Sequence, residues 1–172
     1  SLTSGSSPAP VGRIVLGPTG AGELPEVSEI AARRFRCLVC RAIMLVVPGG
    51  VLRRCLFLAT AIALALGRWA EGVAAPAVRR EVSPQGRPGP TAVAGWASLR
   101  RWARTAPWLW PRSPPLARQG PWRATALAVV AFLASFAPVP SGRVTEDAVV
   151  GAAHFRGCPP RPGGDPGSAH HP

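Results

Sequence analysis

Residues 23–36 read ELPEVSEIAARRFR. The fold class turns on this stretch, because it is the longest patterned segment before the first apolar run. Glu23, Glu26 and Glu29 come early, and Arg33, Arg34 and Arg36 come late. Negative charge near a helix N-terminus and positive charge near its C-terminus complement the helix dipole. The arrangement predicts a helix over 23–36. Just upstream, GRIVLG at 12–17 predicts a short strand. Just downstream, CLVCRAIMLVV at 37–47 is an apolar run broken by Arg41 and stopped by Pro48, Gly49 and Gly50.

Two further apolar runs follow. CLFLATAIALALG at 55–67 is uncharged between Arg54 and Arg68. It is short for a span, which needs about 20 residues, but flanking Arg side chains can snorkel across a thinned bilayer. A basic flank, an apolar run and small residues afterwards also make 52–77 similar to a secretory signal, at an internal position. ATALAVVAFLASFAPVP at 124–140 is the better spanning candidate, its uncharged window running to Gly142, although Pro138 and Pro140 shorten its helical part. If both runs span, the loop 68–123 carries 10 of the 20 Arg and the positive-inside rule keeps it cytoplasmic. If neither spans, the two runs pair as a small helical core.

Composition narrows the function classes. All 20 basic residues are Arg; Lys, Asn and Tyr are absent, with one Met and four Ile. These gaps share AT-rich codons, while Gly, Ala, Pro, Arg and Trp have GC-rich ones. One reading is base composition, in a gene from GC-rich DNA or in a reading frame never shaped for folding. The other is phosphate or headgroup recognition by planar guanidinium groups. Without Lys there is no Schiff-base lysine and no phosphate-loop lysine. The net charge of +12 favours polyanionic partners. With 19 Gly and 21 Pro the chain approaches the roughly 25–30% at which disorder becomes the default. With Ser1 first, the sequence is expected to be a processed or excised form.

Gly17 and Gly22 have the spacing of the glycines in G-x-x-x-x-G-K-[ST], between the expected strand and helix. Over about 25 residues the stretch resembles P-loop nucleotide-binding proteins. Glu23 stands where the motif needs Lys, and Leu24 where it needs Ser or Thr. A Glu repels the phosphates and a Leu cannot hold magnesium. NTPase activity and a nucleotide ligand are therefore rejected.

Cys37 and Cys40 have C-x-x-C spacing, but a zinc site wants four ligands and Cys55 and Cys158 are single. Two buried or membrane-facing thiols are expected, and no metal site. Catalytic groups are scarce: Asp147, Asp165, His154, His170 and His171 form no constellation with a nucleophile. No catalytic residue, cofactor or enzyme activity is expected.

The segment 95–123, GWASLRRWARTAPWLWPRSPPLARQGPWR, holds five of the six Trp with Arg interleaved. On a helix Trp96, Leu99, Trp102 and Ala103 share one arc, and Arg100, Arg101 and Arg104 the other. Pro107 is expected to stop that helix, with an extended chain beyond it. In style the composition resembles Trp/Arg-rich membrane-active peptides. Indoles at headgroup level with guanidiniums on lipid phosphates make one reading. Arg on phosphates with Trp stacked on bases makes the other. The candidate membrane-interface or polyanion-binding residues are Trp96, Arg100, Arg101, Trp102, Arg104, Trp108, Trp110, Trp122 and Arg123.

The sequence thus predicts a mainly α chain with extensive irregular, disordered Pro/Gly-rich segments, one or two hydrophobic helices and no large core. Its expected parts are a disordered linker (1–10), a small helical and hydrophobic region (11–75), a linker (76–94), the Trp/Arg segment (95–123), a hydrophobic helix (124–142) and a largely disordered tail (143–172). The expected function is that of a small, basic, membrane-associated, non-enzymatic protein acting on an anionic membrane surface. The alternatives are the product of a GC-rich or non-standard reading frame with no evolved biochemical function, and a basic nucleic-acid-binding protein. No specific protein partner is identifiable from the sequence.

Overall fold

The computed structural model describes residues 11–37, 39–52, 55–84, 96–110 and 121–155. It overturns the mainly α expectation, because three antiparallel strands precede five helices that share one core. The strands are β1 (Val11–Gly17), β2 (Glu26–Arg36) and β3 (Ile43–Val46), in the order β1-β2-β3.

The short strand expected near GRIVLG is present as β1, but the helix expected over 23–36 is instead the longest strand. β1 pairs with the first part of β2 in a register running from Val11 opposite Ala32 to Gly17 opposite Glu26. A favourable dipole arrangement is worth about 0.3–1 kcal/mol at an exposed site. The hairpin pairs the backbone of seven residues and buries Val15, Leu16 and Ala32, a larger gain than the dipole offers. The Gly-rich segment that looked like a phosphate loop joins two antiparallel strands, not a strand and a helix.

The sheet is tied to the helices through Leu16. Its N–H donates to the Leu56 carbonyl at 2.9 Å, and its carbonyl accepts from Leu58 N–H at 3.0 Å. Thr60 Oγ1 donates to the Pro18 carbonyl at 2.7 Å, and the Arg13 guanidinium donates to the carbonyls of Leu52 and Cys55.

The helices are α1 (Ala59–Ala70), α2 (Ala75–Val82), α3 (Ala97–Leu109), α4 (Trp122–Ala134) and α5 (Val144–His154). α1 is apolar nearly all round because it is covered nearly all round, with Ala61, Ile62, Ala63, Ala65 and Leu66 inaccessible to solvent. It packs against α4 and α5, which also pack on each other. α1 ends in a six-to-one hydrogen bond from Val73 N–H to the Arg68 carbonyl, with Gly72 at φ +102° supplying the left-handed residue. α2 carries Pro76 as its second residue, in the first helical turn to which proline is suited.

The two apolar runs therefore form helices of 12 and 13 residues inside a core. No helix among the described residues is long and apolar enough to cross a membrane. Helices also form over Ala75–Val82 and Val144–His154, within stretches expected to be irregular. α3 continues through Pro107 to Leu109 instead of stopping there, held by buried Ala106 and Trp110 on either side. Two aromatic triads brace the core. Phe57, Trp96 and Trp102 meet edge to face at 4.9–5.7 Å, as do Phe132, Phe136 and Phe155 at 5.1–6.2 Å.

Candidate anionic-surface interface

The Trp/Arg segment is sorted by its helical period. Trp102 and Trp110 are 3% and 0% exposed, and Trp96 is half-buried in the first aromatic triad. These three indoles are core, not headgroup anchors. The Trp110 indole N–H meets no acceptor among the described residues. Arg100, Arg101 and Arg104 lie on the opposite arc, exposed. They line a shallow groove of about 400 Å³ together with Trp122, which is 36% exposed. Arg123 is exposed, and its guanidinium approaches Gly72. The side chain of Trp108 lies outside the described residues. So four of the nine candidate residues, Arg100, Arg101, Arg104 and Trp122, are gathered at one site.

The sequence reading missed a second feature, the arm made by the end of β2 and β3. Arg33 opposes Val46, Arg34 Leu45, Phe35 Met44 and Arg36 Ile43. Directly opposed residues of an antiparallel pair share a face, and faces alternate along each strand. Phe35, Met44 and Val46 therefore share a face with Arg33, while Arg34, Arg36, Ile43 and Leu45 share the other.

The apolar face continues onto the first hairpin through Val27 and Ile14. These five large side chains are 41–59% exposed. In the described structure nothing covers them. Arg33 and the exposed Glu29, which opposes Ile14, share their face, while Arg34 and Arg36 lie on the other face and Arg41 at the tip. From residue 30 to residue 70 the sequence has no acidic residue at all. Exposed apolar patches of this kind, rimmed by polar groups, mark interaction sites. None of these four Arg forms an ion pair with a described residue.

At the tip of the arm the hydrogen bond from Cys37 N–H to the Ala42 carbonyl, at 2.8 Å, closes the turn. Cys37 is partly exposed and Cys40 exposed, and both are free thiols. The thiols expected to be buried or membrane-facing thus sit on a turn. The N–H groups of Cys40 and Val39 and the Cys40 thiol reach the Cys37 sulfur and hold its thiol below the ordinary cysteine value. Cys55 differs: burial pushes its thiol up, against the pull of Arg101 and Arg13.

A second groove, about 950 Å³, lies between the 18–25 loop and helices α1, α2 and α5. Its charges neutralise one another. Arg68 contacts Glu81 at 2.9 Å and Glu71 at 3.0 Å, Arg143 contacts Glu146 at 2.7 Å, and Thr145 donates to Glu71. Hydrogen bonds to Glu81 and then Glu71 hold the Arg68 guanidinium above its ordinary value. No His, Cys or Ser lines it, so it offers no nucleophile of those types. Among the described residues no three His, Cys, Asp or Glu side chains converge as a metal site.

Compared with known proteins, the chain matches no protein-family model, no curated protein and no solved structure.

Proposed function

We propose that the protein is a small, basic, non-enzymatic protein that associates peripherally with anionic membrane surfaces. The observation that carries this reading is the uncovered apolar face of Ile14, Val27, Phe35, Met44 and Val46, with Arg33 on the same face and Arg34, Arg36 and Arg41 on the other face and tip of the same arm. Apolar side chains enter the headgroup boundary while guanidiniums pair with lipid phosphates. Each cation near an anionic surface contributes about 1 kcal/mol, and this part is screened by salt. The apolar part is not screened. The short hydrophobic helices expected as anchors take no part, because they fill the core.

The test is flotation with vesicles containing phosphatidylserine, before and after a high-salt wash. The protein stays on the vesicles after the wash. In the variant carrying Phe35→Ser and Met44→Ser, two exposed positions, retention falls about tenfold, since partial burial of two such side chains is worth on the order of 1–3 kcal/mol. If salt alone strips the native protein, the apolar face does not enter the bilayer and the reading fails.

One observation favours nucleic acid as a second reading: Arg100, Arg101 and Arg104 line a groove with exposed Trp122, a cationic track beside a stacking surface. Binding through it weakens steeply with salt. Triple Ala replacement of the three Arg lowers the salt slope only if that groove is the contact.

A further inference from the structure

We infer that Cys37 and Cys40 form a thiol–disulfide exchange site at the tip of the β2–β3 arm, with Cys37 as the attacking thiol and Cys40 as the resolving one. Three observations carry it. Both thiols are free and solvent-accessible. The chain reverses at Val39 and Cys40, and the Cys37 to Ala42 hydrogen bond and the Arg36–Ile43 pair close the turn behind them. The Cys40 S–H and N–H reach the Cys37 sulfur, which puts the two sulfurs side by side at the turn, as disulfide closure requires.

The two thiols differ in a way that assigns their roles. The Cys37 sulfur receives the Val39 and Cys40 N–H groups and the Cys40 S–H, which stabilise it as a thiolate. Arg36 and Arg41 flank the turn and carry no acidic neighbour in sequence. The co-substrate is a low-molecular-weight disulfide. The Cys37 thiolate attacks one of its sulfurs, the S–S bond breaks, and the first small thiolate leaves. Cys40 then gives up its proton, attacks the Cys37 sulfur and expels the second small thiolate. The two protons lost by the cysteines end on the two small thiols. Two protein thiols are oxidised and one small disulfide is reduced.

Cys55 does not compete, since it is partly buried and its thiol is raised by burial. The site is independent of any membrane role. Its chemistry is read with the protein in solution.

The experiment uses the full reduced chain and glutathione disulfide, followed by acid quenching, trypsin and mass spectrometry. Trypsin cuts after Arg36 and Arg41, so both cysteines fall on the single peptide CLVCR. The expected product is that peptide lighter by two hydrogens, carrying no glutathione, and restored by dithiothreitol. In Cys40→Ser glutathione is trapped on Cys37. In Cys37→Ser the remaining thiol reacts several-fold more slowly. A peptide that keeps both thiols, or that ends with glutathione on each, overturns the inference. Equal rates in the two variants overturn the assignment of the attacking thiol. Because both positions lie on an exposed turn, the native protein and its digest give the answer even if a variant expresses poorly.

Discussion

Gly151 sits where α4 ends against α5. A Cβ added there would run into the Leu133 carbonyl oxygen and lie 3.3 Å from Ala137 N. Both obstacles are backbone, so neither can rotate away, and the helices must separate. Overpacking of this kind costs about 1–3 kcal/mol. Gly151→Ala is therefore expected to lower the urea midpoint with an unchanged slope. An unchanged midpoint would mean that the two helices part freely. Four residues earlier, Asp147 is buried, and its carboxylate accepts the Ser141 N–H at 2.7 Å. That hydrogen bond holds its pKa below the ordinary aspartate value. A depressed carboxyl pKa adds stability that is complete above the unfolded value, about 3.9. The contribution is lost as pH falls through the folded value. The native protein is thus more stable than Asp147→Asn at neutral pH, and the gap narrows below about pH 3.9. Thermal unfolding midpoints of the two proteins across that range check it. A gap that stays constant with pH would show that the charge plays no part.

Among the elements, α1 and β3 are the extremes. Both were apolar runs in the sequence, yet α1 is enclosed by α4, α5 and the first strand while every residue of β3 is exposed. Leu66→Ala in α1 is expected to cost about 2–5 kcal/mol. Leu45→Ala in β3 should stay within about 0.5 kcal/mol. Equal losses, read from denaturant unfolding, would place β3 in the core. This contrast marks how far the sequence could be read. The 3.6-residue period of 96–106 was legible, and it separates Leu99, Trp102 and Ala103 from the three exposed Arg. Apolarity alone located α1 and α4, but not whether lipid or protein covers them, since both reward the same side chains. β2 was misread because its acidic-then-basic order imitates a helix, while its pairing partner lies across a loop and leaves no local trace. The arm was missed for the same reason. Which of Phe35, Met44 and Arg36 share a face is set by register, and register is a long-range property.

The whole molecule carries a net charge of +12, and that charge acts on the fold as well as on partners. Like charges confined to a compact body repel one another, and salt relieves the repulsion. The opposing term is loss of the ion pairs. Three are described, Arg68–Glu71, Arg68–Glu81 and Arg143–Glu146, all partly exposed, and pairs of that kind are worth about 0–1 kcal/mol each. Repulsion is spread over many Arg with no acidic neighbour in sequence, including Arg33, Arg34, Arg36 and Arg41 of the arm. The repulsive term is therefore the larger. The unfolding midpoint is expected to rise as sodium chloride is added from low ionic strength, and to level off once the screening length, about 8 Å at 0.15 M, is shorter than the spacing of the Arg. If the proposed membrane role holds, anionic vesicles raise it further to the extent that they bind the folded arm more tightly than the unfolded chain. A midpoint that falls with salt would give the ion pairs around Arg68 the decisive role. It would also mean that the Arg of the arm are too far apart to concentrate a field toward a membrane.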